Sequence, residues 1–278
     1  MVANLTQTLS LLITANHILD YYQVVTGFGH VSVRNPLNNA TFFMTGSPPP
    51  ALITSAHDLN EFYVEDASPV NPDNRNQSRW SERFIHQGIL KQFPSQQSVV
   101  HSHSRAVIPF AIAGVPFRPT YHMDGGFIGQ HVPVFDIADY YLPNDTQDLL
   151  VNKERFGNAL AKTFLTPAHN ASTVTITEPD HYLVLQRGHG FAVLGTSIPE
   201  AVYRAVYTTW NADVQASALA INRAAEVSHG VKYLTAQEVS GTLVMDNADY
   251  SKEWPVWAAQ VRVNPLYKND LGYAAIPM

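Results

Sequence analysis

The sequence predicts a three-layer α/β protein: one domain whose central mixed, largely antiparallel sheet is flanked by helices on both faces. Three observations lead there. The short stretch at 30–34 alternates with a period of two, as half-buried strands do, and 41–44 beyond a turn reads as a second strand. Longer stretches at 4–25 and 198–224 repeat apolar residues every three or four positions, as amphipathic helices do. No internal repeat, low-complexity tract or linker divides the 278 residues, a length that α/β domains reach as one unit.

Taken in order, Leu5, Leu9, Leu12, Ala15, Leu19 and Tyr22 mark one face of the first helix, which Gly27-Phe28-Gly29 ends. Strands at 30–34 and 41–44 flank the turn Asn35-Pro36-Leu37-Asn38-Asn39, a β-hairpin. The Pro-rich segment 45–50 is a loop, 59–65 a strand, and the polar stretch through Ser78 another loop. Phe84, Ile85, Ile89 and Leu90 form the buried side of a helix over 80–93, on which Glu82 and His86 stand four apart on one face. Residues 98–103 read as extended and 105–112 as helical. A Gly- and Pro-rich loop over 113–129 carries Tyr121, His122 and Asp124. A strand at 130–136 and a helix at 153–164 follow. Strands at 182–185 and 191–194 are joined by Arg187-Gly188-His189-Gly190, which sets His189 at the tip of a hairpin. Thr196, Ser197 and Pro199 open the long helix over 198–224. A helix from Thr235 and an amphipathic piece over 253–261 come last. Trp254 and Trp257 there face either another subunit or the chain's own core.

Composition narrows the function. At 45% hydrophobic and 14% charged, the chain has ample core material and is not disordered. A net charge of -6 and the lack of any Lys/Arg run leave no electrostatic case for a nucleic-acid partner. There is no Cys, hence no disulfide, thiol nucleophile or Cys-based zinc site. The apolar run at 9–13 is too short to span a bilayer, and without a preceding basic residue it makes a poor signal peptide. A cytoplasmic protein with a small-molecule substrate is the expectation. Twelve His, in so lightly charged a chain, are the compositional oddity.

Two of them organise the reading. In Val99-Val100-His101-Ser102-His103-Ser104, residues two apart on a strand point to the same side, so His101 and His103 can share one cation. Imidazole suits Zn, Fe, Ni and Cu, and catalytic sites keep three protein ligands and an open position. A His pair is also common as ordinary hydrogen-bonded side chains, so a third ligand and a nearby acid or base must be found.

The order of motifs resembles the class II aldolase/adducin family. It rests on Gly29-His30-Val31-Ser32-Val33-Arg34, Met44-Thr45-Gly46-Ser47, Ser81-Glu82 with His86, Val100-His101-Ser102-His103-Ser104, and Gly188-His189-Gly190 ahead of a strand and a long helix. Together these span roughly residues 5–225, leaving 226–278 as a C-terminal helical extension. The resemblance implies that His101, His103 and His189 hold a divalent metal: Zn2+, or another ion such as Mn2+, Co2+ or Fe2+. It implies Glu82 as acid/base beside the metal and a homotetramer whose sites lie between subunits. A C-terminal Tyr often completes such sites, with Tyr233 and Tyr250 as candidates here.

The chemistry is coherent on its own terms. Three neutral imidazoles leave the ion its full charge and an open position for a substrate oxygen pair. A metal-bound enediolate can then form as a carbon–carbon bond breaks, and a nearby carboxyl group can supply the proton. Retro-aldol cleavage and decarboxylation share this course.

Departures from the family's phosphate-holding loops point to the substrate. A Gly-Asn pair becomes Gly29-His30, a Thr-Pro-Ser-Gly-like loop becomes Thr45-Gly46-Ser47-Pro48, and a Ser-Ser pair becomes Trp80-Ser81. Backbone amides and hydroxyls suit phosphate, whereas an indole suits a flat apolar group or the core. A non-phosphorylated hydroxy or keto acid, aromatic or polyketide-like, is expected. His30, Ser47, Trp80, Ser81 and Asp124 are candidate substrate contacts; Asp124 reads either as a second acid/base or as a turn residue before Gly125-Gly126. The leading expectation is a metal-dependent lyase, aldolase or decarboxylase. The alternatives are an epimerase, dehydratase or Fe(II) oxygenase on the same scaffold, and an adducin-type binding module.

Overall fold

The computed structural model of the chain describes residues 4–46, 48–71, 81–225 and 229–274. In chain order the elements begin with α1 (Leu5–Tyr21), β1 (His30–Arg34), β2 (Thr41–Thr45) and β3 (Leu59–Tyr63). Next come α2 (Arg83–Gln92), β4 (Ser98–Ser102), α3 (Ile108–Ile112), α4 (Gly125–Ile128) and β5 (Val134–Phe135). The rest is α5 (Glu154–Thr163), α6 (Pro167–Asn170), β6 (Leu183–Gln186), β7 (Gly190–Gly195), α7 (Ile198–Ala224) and α8 (Ala236–Val263).

The seven strands form one open sheet in the order β3-β2-β1-β4-β7-β6-β5. Every neighbouring pair is antiparallel except β5 and β6, so the sheet is mixed. The strands alternate between two cores. Val31, Val33, Val100, Phe191 and Val193 pack beneath α1, α7 and α8. Met44, Val99, Ala192 and Leu194 pack beneath α2 and α5 on the opposite face. Since the side-chain period is two, His30, Ser32 and Arg34 share the α2 side with Val99 and His101.

That face fixes α2. Arg34 is buried and donates from Nη2 to the carbonyl of Leu90 at 2.7 Å, satisfying an end carbonyl of α2 and complementing its dipole. On the outer side, α2 lies against α5 with almost no gap. A Cβ on Gly88 would sit 2.3 Å from the Gly157 carbonyl oxygen, and one on Gly157 would sit 2.1 Å from that of Phe84. Two glycines facing each other set how closely α2 and α5 pack on this face of the sheet.

The strands at 30–34 and 41–44 and the helix at 198–224 form as expected, the latter with Ser197 as N-cap and Pro199 in its first turn. Other expectations are corrected. The strand expected over 130–136 is reduced to Val134–Phe135, because only those residues reach β6. The helix after the His-x-His stretch begins at Ile108 rather than Arg105, and the loop over 113–129 contains the short helix α4. The two C-terminal pieces are one helix that runs through Pro255. A proline there forfeits a backbone hydrogen bond, and burial of Trp254 and Trp257 in the chain's own core offsets that loss.

Replacing Gly88 by Ala should therefore wedge α2 from α5 and destabilise the fold by about 1–3 kcal/mol. Gly241→Ala is the control, in a helix with open space around it, and should be neutral to mildly stabilising. Thermal melts of the two variants check this; equal melting temperatures would remove the constraint.

Candidate metal centre

Four side chains from two layers meet at one end of the sheet. His101 lies on β4 between His30 of β1 and Ala192 of β7. The methyl group at Ala192 leaves room for the imidazole rings. His103 follows one residue past the end of β4. His189 sits at the tip of the β6–β7 hairpin, and the glycine after it is a steric necessity: a Cβ on Gly190, whose φ is +153°, would come 1.8 Å from the carbonyl oxygen of Ser102. This close approach brings the hairpin tip onto the His-x-His stretch. Glu82 is the N-cap of α2, but its side chain makes no capping hydrogen bond and turns toward the imidazoles instead.

The ligand-capable atoms of Glu82, His101, His103 and His189 all lie within 4.8 Å of one another. Glu82 Oε1 is 3.1 Å from His189 Nε2, and Oε2 is 3.8 Å from Nε2 of both His101 and His103. The His101 and His103 ring centroids are 4.8 Å apart, and those of His103 and His189 4.7 Å. These groups are near one another yet poorly aligned for hydrogen bonding: Nε2 of each of the three His and Oε1 of Glu82 are buried with no such partner. Buried polar atoms are rarely left so without a reason.

The tautomer of His101 agrees with a cation at this point. Its Nδ1 is 3.0 Å from the Phe191 carbonyl oxygen, so Nδ1 carries the proton and the Nε2 lone pair is free. Burial lowers the His101 pKa well below the usual imidazole range and keeps the ring neutral, the form that binds metal. Burial also penalises the Glu82 carboxylate, but the imidazoles of His103, His189, His30 and His101 outweigh it and hold its pKa well below the ordinary value. Three bare imidazole nitrogens fit a single divalent ion and leave a position for a substrate oxygen, with the Glu82 carboxylate beside it.

The side chain of His103 is the most exposed of the three, at 31%, against 0% for His101 and 10% for His189. It opens onto a cavity of about 640 Å³ that Gln23, Thr26, Phe28, Arg105 and Asp213 also line. The Phe28 ring stacks near that of His103, with centroids 6.4 Å apart.

The remaining expected site residues fare differently. His30 is buried beside Glu82, its Nε2 3.6 Å from Oε2. Ser81 is half-buried in the turn that enters α2. Ser47 and Trp80 lie outside the described residues. Asp124 is fully buried at the start of α4, where its charged neighbour is Asp246 of α8 rather than Glu82. Tyr233 accepts a hydrogen bond from Gln215, and Tyr250 lines a different cavity. Sequence reasoning missed Gln186, whose side-chain amide packs against the His101 ring. It also missed Ser32, 2.6 Å from His86 Nδ1, and Arg105 in the cavity. Ser32 carried a usable signal: it stands two residues from His30 on a strand, as His86 stands four from Glu82 on a helix.

An open, mixed, mostly antiparallel sheet carrying three imidazoles and a carboxylate at one end defines a protein that could seat one divalent cation beside a small-molecule cavity. The chain belongs to the class II aldolase and adducin family: the profile of the class II aldolase and adducin N-terminal domain matches residues 10–216. It is 41% identical over 261 residues to the decarboxylase tropJ of Talaromyces stipitatus, spanning 92% of this chain and 95% of that one. Its fold is similar to that of an L-fuculose 1-phosphate aldolase from Glaciozyma antarctica, with TM-score 0.68 and 19% identity over 95% of this chain and 92% of that one. An aldolase II superfamily protein from Pseudomonas syringae is comparable, with TM-score 0.69 and 16% identity over 95% of each chain.

The Asp124 environment yields a pH prediction. Burial, then the nearby charge of Asp246, pushes the Asp124 carboxyl up to about 9 from an ordinary 3.8. Between those values the unfolded chain releases this proton and the folded chain keeps it, so stability falls as pH rises through that window. Asp124→Asn cannot ionise and should raise the melting temperature, with an advantage that grows from pH 5 to pH 8. Melts across that range check it; an advantage independent of pH would refute the assignment.

Proposed function

We propose that the chain is a divalent-metal-dependent carbon–carbon lyase acting on a non-phosphorylated hydroxy or keto acid, with decarboxylation or retro-aldol cleavage as its reaction. The observation that carries this reading is the convergence of three partnerless Nε2 atoms and Glu82 beside an open cavity. The similarity to a decarboxylase over nearly the whole chain supports the carbon–carbon lyase class. His101, His103 and His189 are the ligands in this reading, zinc is the ion, and the assembly is a cytoplasmic homotetramer.

When bound, the ion supplies positive charge for the substrate oxygen that becomes negative as the bond breaks. The protein's own groups do the rest. Arg105 offers a guanidinium to a substrate carboxylate, and Phe28 offers an apolar face to an aromatic or polyketide-like body. Glu82, held as a carboxylate at neutral pH, starts as the base. In retro-aldol cleavage it takes the proton of the substrate β-hydroxyl as the aldehyde leaves and returns it to the carbon that retains the bonding electrons; in decarboxylation, where the departing carbon dioxide frees no proton, it passes one from solvent to that carbon. Burial of Glu82 and His101 keeps bulk water from competing for that carbon.

The test combines metal analysis with turnover, read as carbon dioxide or aldehyde release from a panel of hydroxy and keto acids. His103→Ala should lose metal and turnover together. Glu82→Gln should keep much of the metal while kcat falls about 10²–10⁴-fold; retained turnover there would remove Glu82 from the chemistry. Arg105→Ala should raise KM about tenfold to a hundredfold with little change in kcat, as expected for one lost charge-assisted contact. An unchanged KM would place the substrate carboxylate elsewhere.

A further inference from the structure

Behind the four-residue centre lies a second column of polar side chains that the proposed chemistry does not yet use. His30 Nδ1 is 2.6 Å from His86 Nε2, and His86 Nδ1 is 2.6 Å from Ser32 Oγ. At the other end, His30 Nε2 is 3.6 Å from Glu82 Oε2, an ion-pair distance just beyond a hydrogen bond. His30, Ser32 and His86 are all buried, at 2%, 0% and 0% exposure. The column joins the layers: His30 and Ser32 come from β1, and Glu82 and His86 from one face of α2.

Two imidazoles 2.6 Å apart cannot both present an N–H or both a lone pair, so their tautomers are locked to each other. Ser32 can donate or accept and follows either choice. Glu82 decides. If His30 gave its proton from Nδ1, its Nε2 lone pair would face a carboxylate in a buried site, a repulsive arrangement. The opposite arrangement pairs a donor with an acceptor at both short contacts and turns an N–H toward the carboxylate. Ser32 Oγ–H donates to His86 Nδ1, His86 Nε2–H donates to His30 Nδ1, and His30 Nε2–H points at Glu82 Oε2.

We infer that His30 is a positioning residue for Glu82, with its tautomer fixed by the carboxylate and its ring held from behind by His86 and Ser32. By engaging Oε2, His30 fixes the rotation of the carboxylate and leaves Oε1, 3.1 Å from His189 Nε2, on the side of the imidazole cluster. The column is also why an imidazole at position 30 is not available as an anion-binding group: both its nitrogens already face protein. This inference rests on Glu82 being the acid/base proposed above. A 1 Å displacement of such a group can cost about a hundredfold in rate.

The test uses the full-length zinc-loaded protein and two independent readouts. In the first, ¹⁵N-labelled histidine NMR reads the tautomers without any substrate. His30 and His86 should both be protonated at Nε2, and Glu82→Gln, whose amide can face either form, should release both rings from that single form. Finding His30 protonated at Nδ1 overturns the inference, whatever reaction the protein performs. In the second, Ser32→Ala and His30→Asn are compared with the parent for zinc content, kcat and KM. Zinc per chain and KM should stay within about twofold, while kcat falls about tenfold to a hundredfold. Should His30→Asn misfold, Ser32→Ala, which deletes one oxygen, carries the same test. Unchanged kcat in a zinc-replete Ser32→Ala protein overturns the positioning role, and loss of zinc alongside kcat assigns the column to metal retention instead.

Discussion

Burying His30, Ser32 and Arg34 on one face of a central strand costs free energy unless their polar atoms are satisfied. In this protein one helix supplies a partner to each of the three, and the carbonyls of Asn39 and Gln96 complete Arg34. Arg34 reaches the carbonyl at the far end of α2, Ser32 and His30 reach His86 in its middle, and His30 reaches Glu82 at its start. The helix is thus tied to β1 along its length by polar contacts, while its apolar side fills the core against α5. An all-apolar interface of the same size would hold the helix as well but would leave its rotation and axial position less sharply defined. Directional contacts set both, and Glu82 inherits that setting.

The second layer of the centre comes from the sheet, and its precision has another origin. β4 and β7 are antiparallel neighbours in a fixed register, with His101 opposite Ala192 and Ser102 opposite Phe191. A slip of one residue would send His101 into the other core. The hairpin tip is drawn in by the contact of Gly190 with the backbone of Ser102, so His189 reaches the His-x-His stretch across more than eighty residues of chain. The tautomer of His101 is set by the neighbouring strand's Phe191 carbonyl, so the sheet fixes both the place and the protonation of that ring.

Much of this was legible from residue pattern. β1 and α7 begin and end where alternation and capping residues place them, because both are long or strongly patterned. The three His and Glu82 were picked out by spacing and motif order, and the fold brings them together. The failures have physical reasons. α4 has four residues and no period to detect; it forms because Asp246 of the distant α8 accepts from the Gly126 and Phe127 amides at its start. The strand expected over 130–136 has suitable residues, but pairing depends on a partner that only two of them meet. Pro255 reads as a break and is overridden by tertiary burial of its Trp neighbours. Ser32 was only half legible: its spacing from His30 marks the face they share, but its partner is known only once the helix opposite is seen to carry His86 at its level.

The layered origin of the centre has a consequence for motion. Glu82 stands at the start of a helix and the imidazoles on and beside the sheet, so a slide of the helix layer against the sheet changes the distance between the carboxylate and the rings without breaking a hydrogen bond inside any strand.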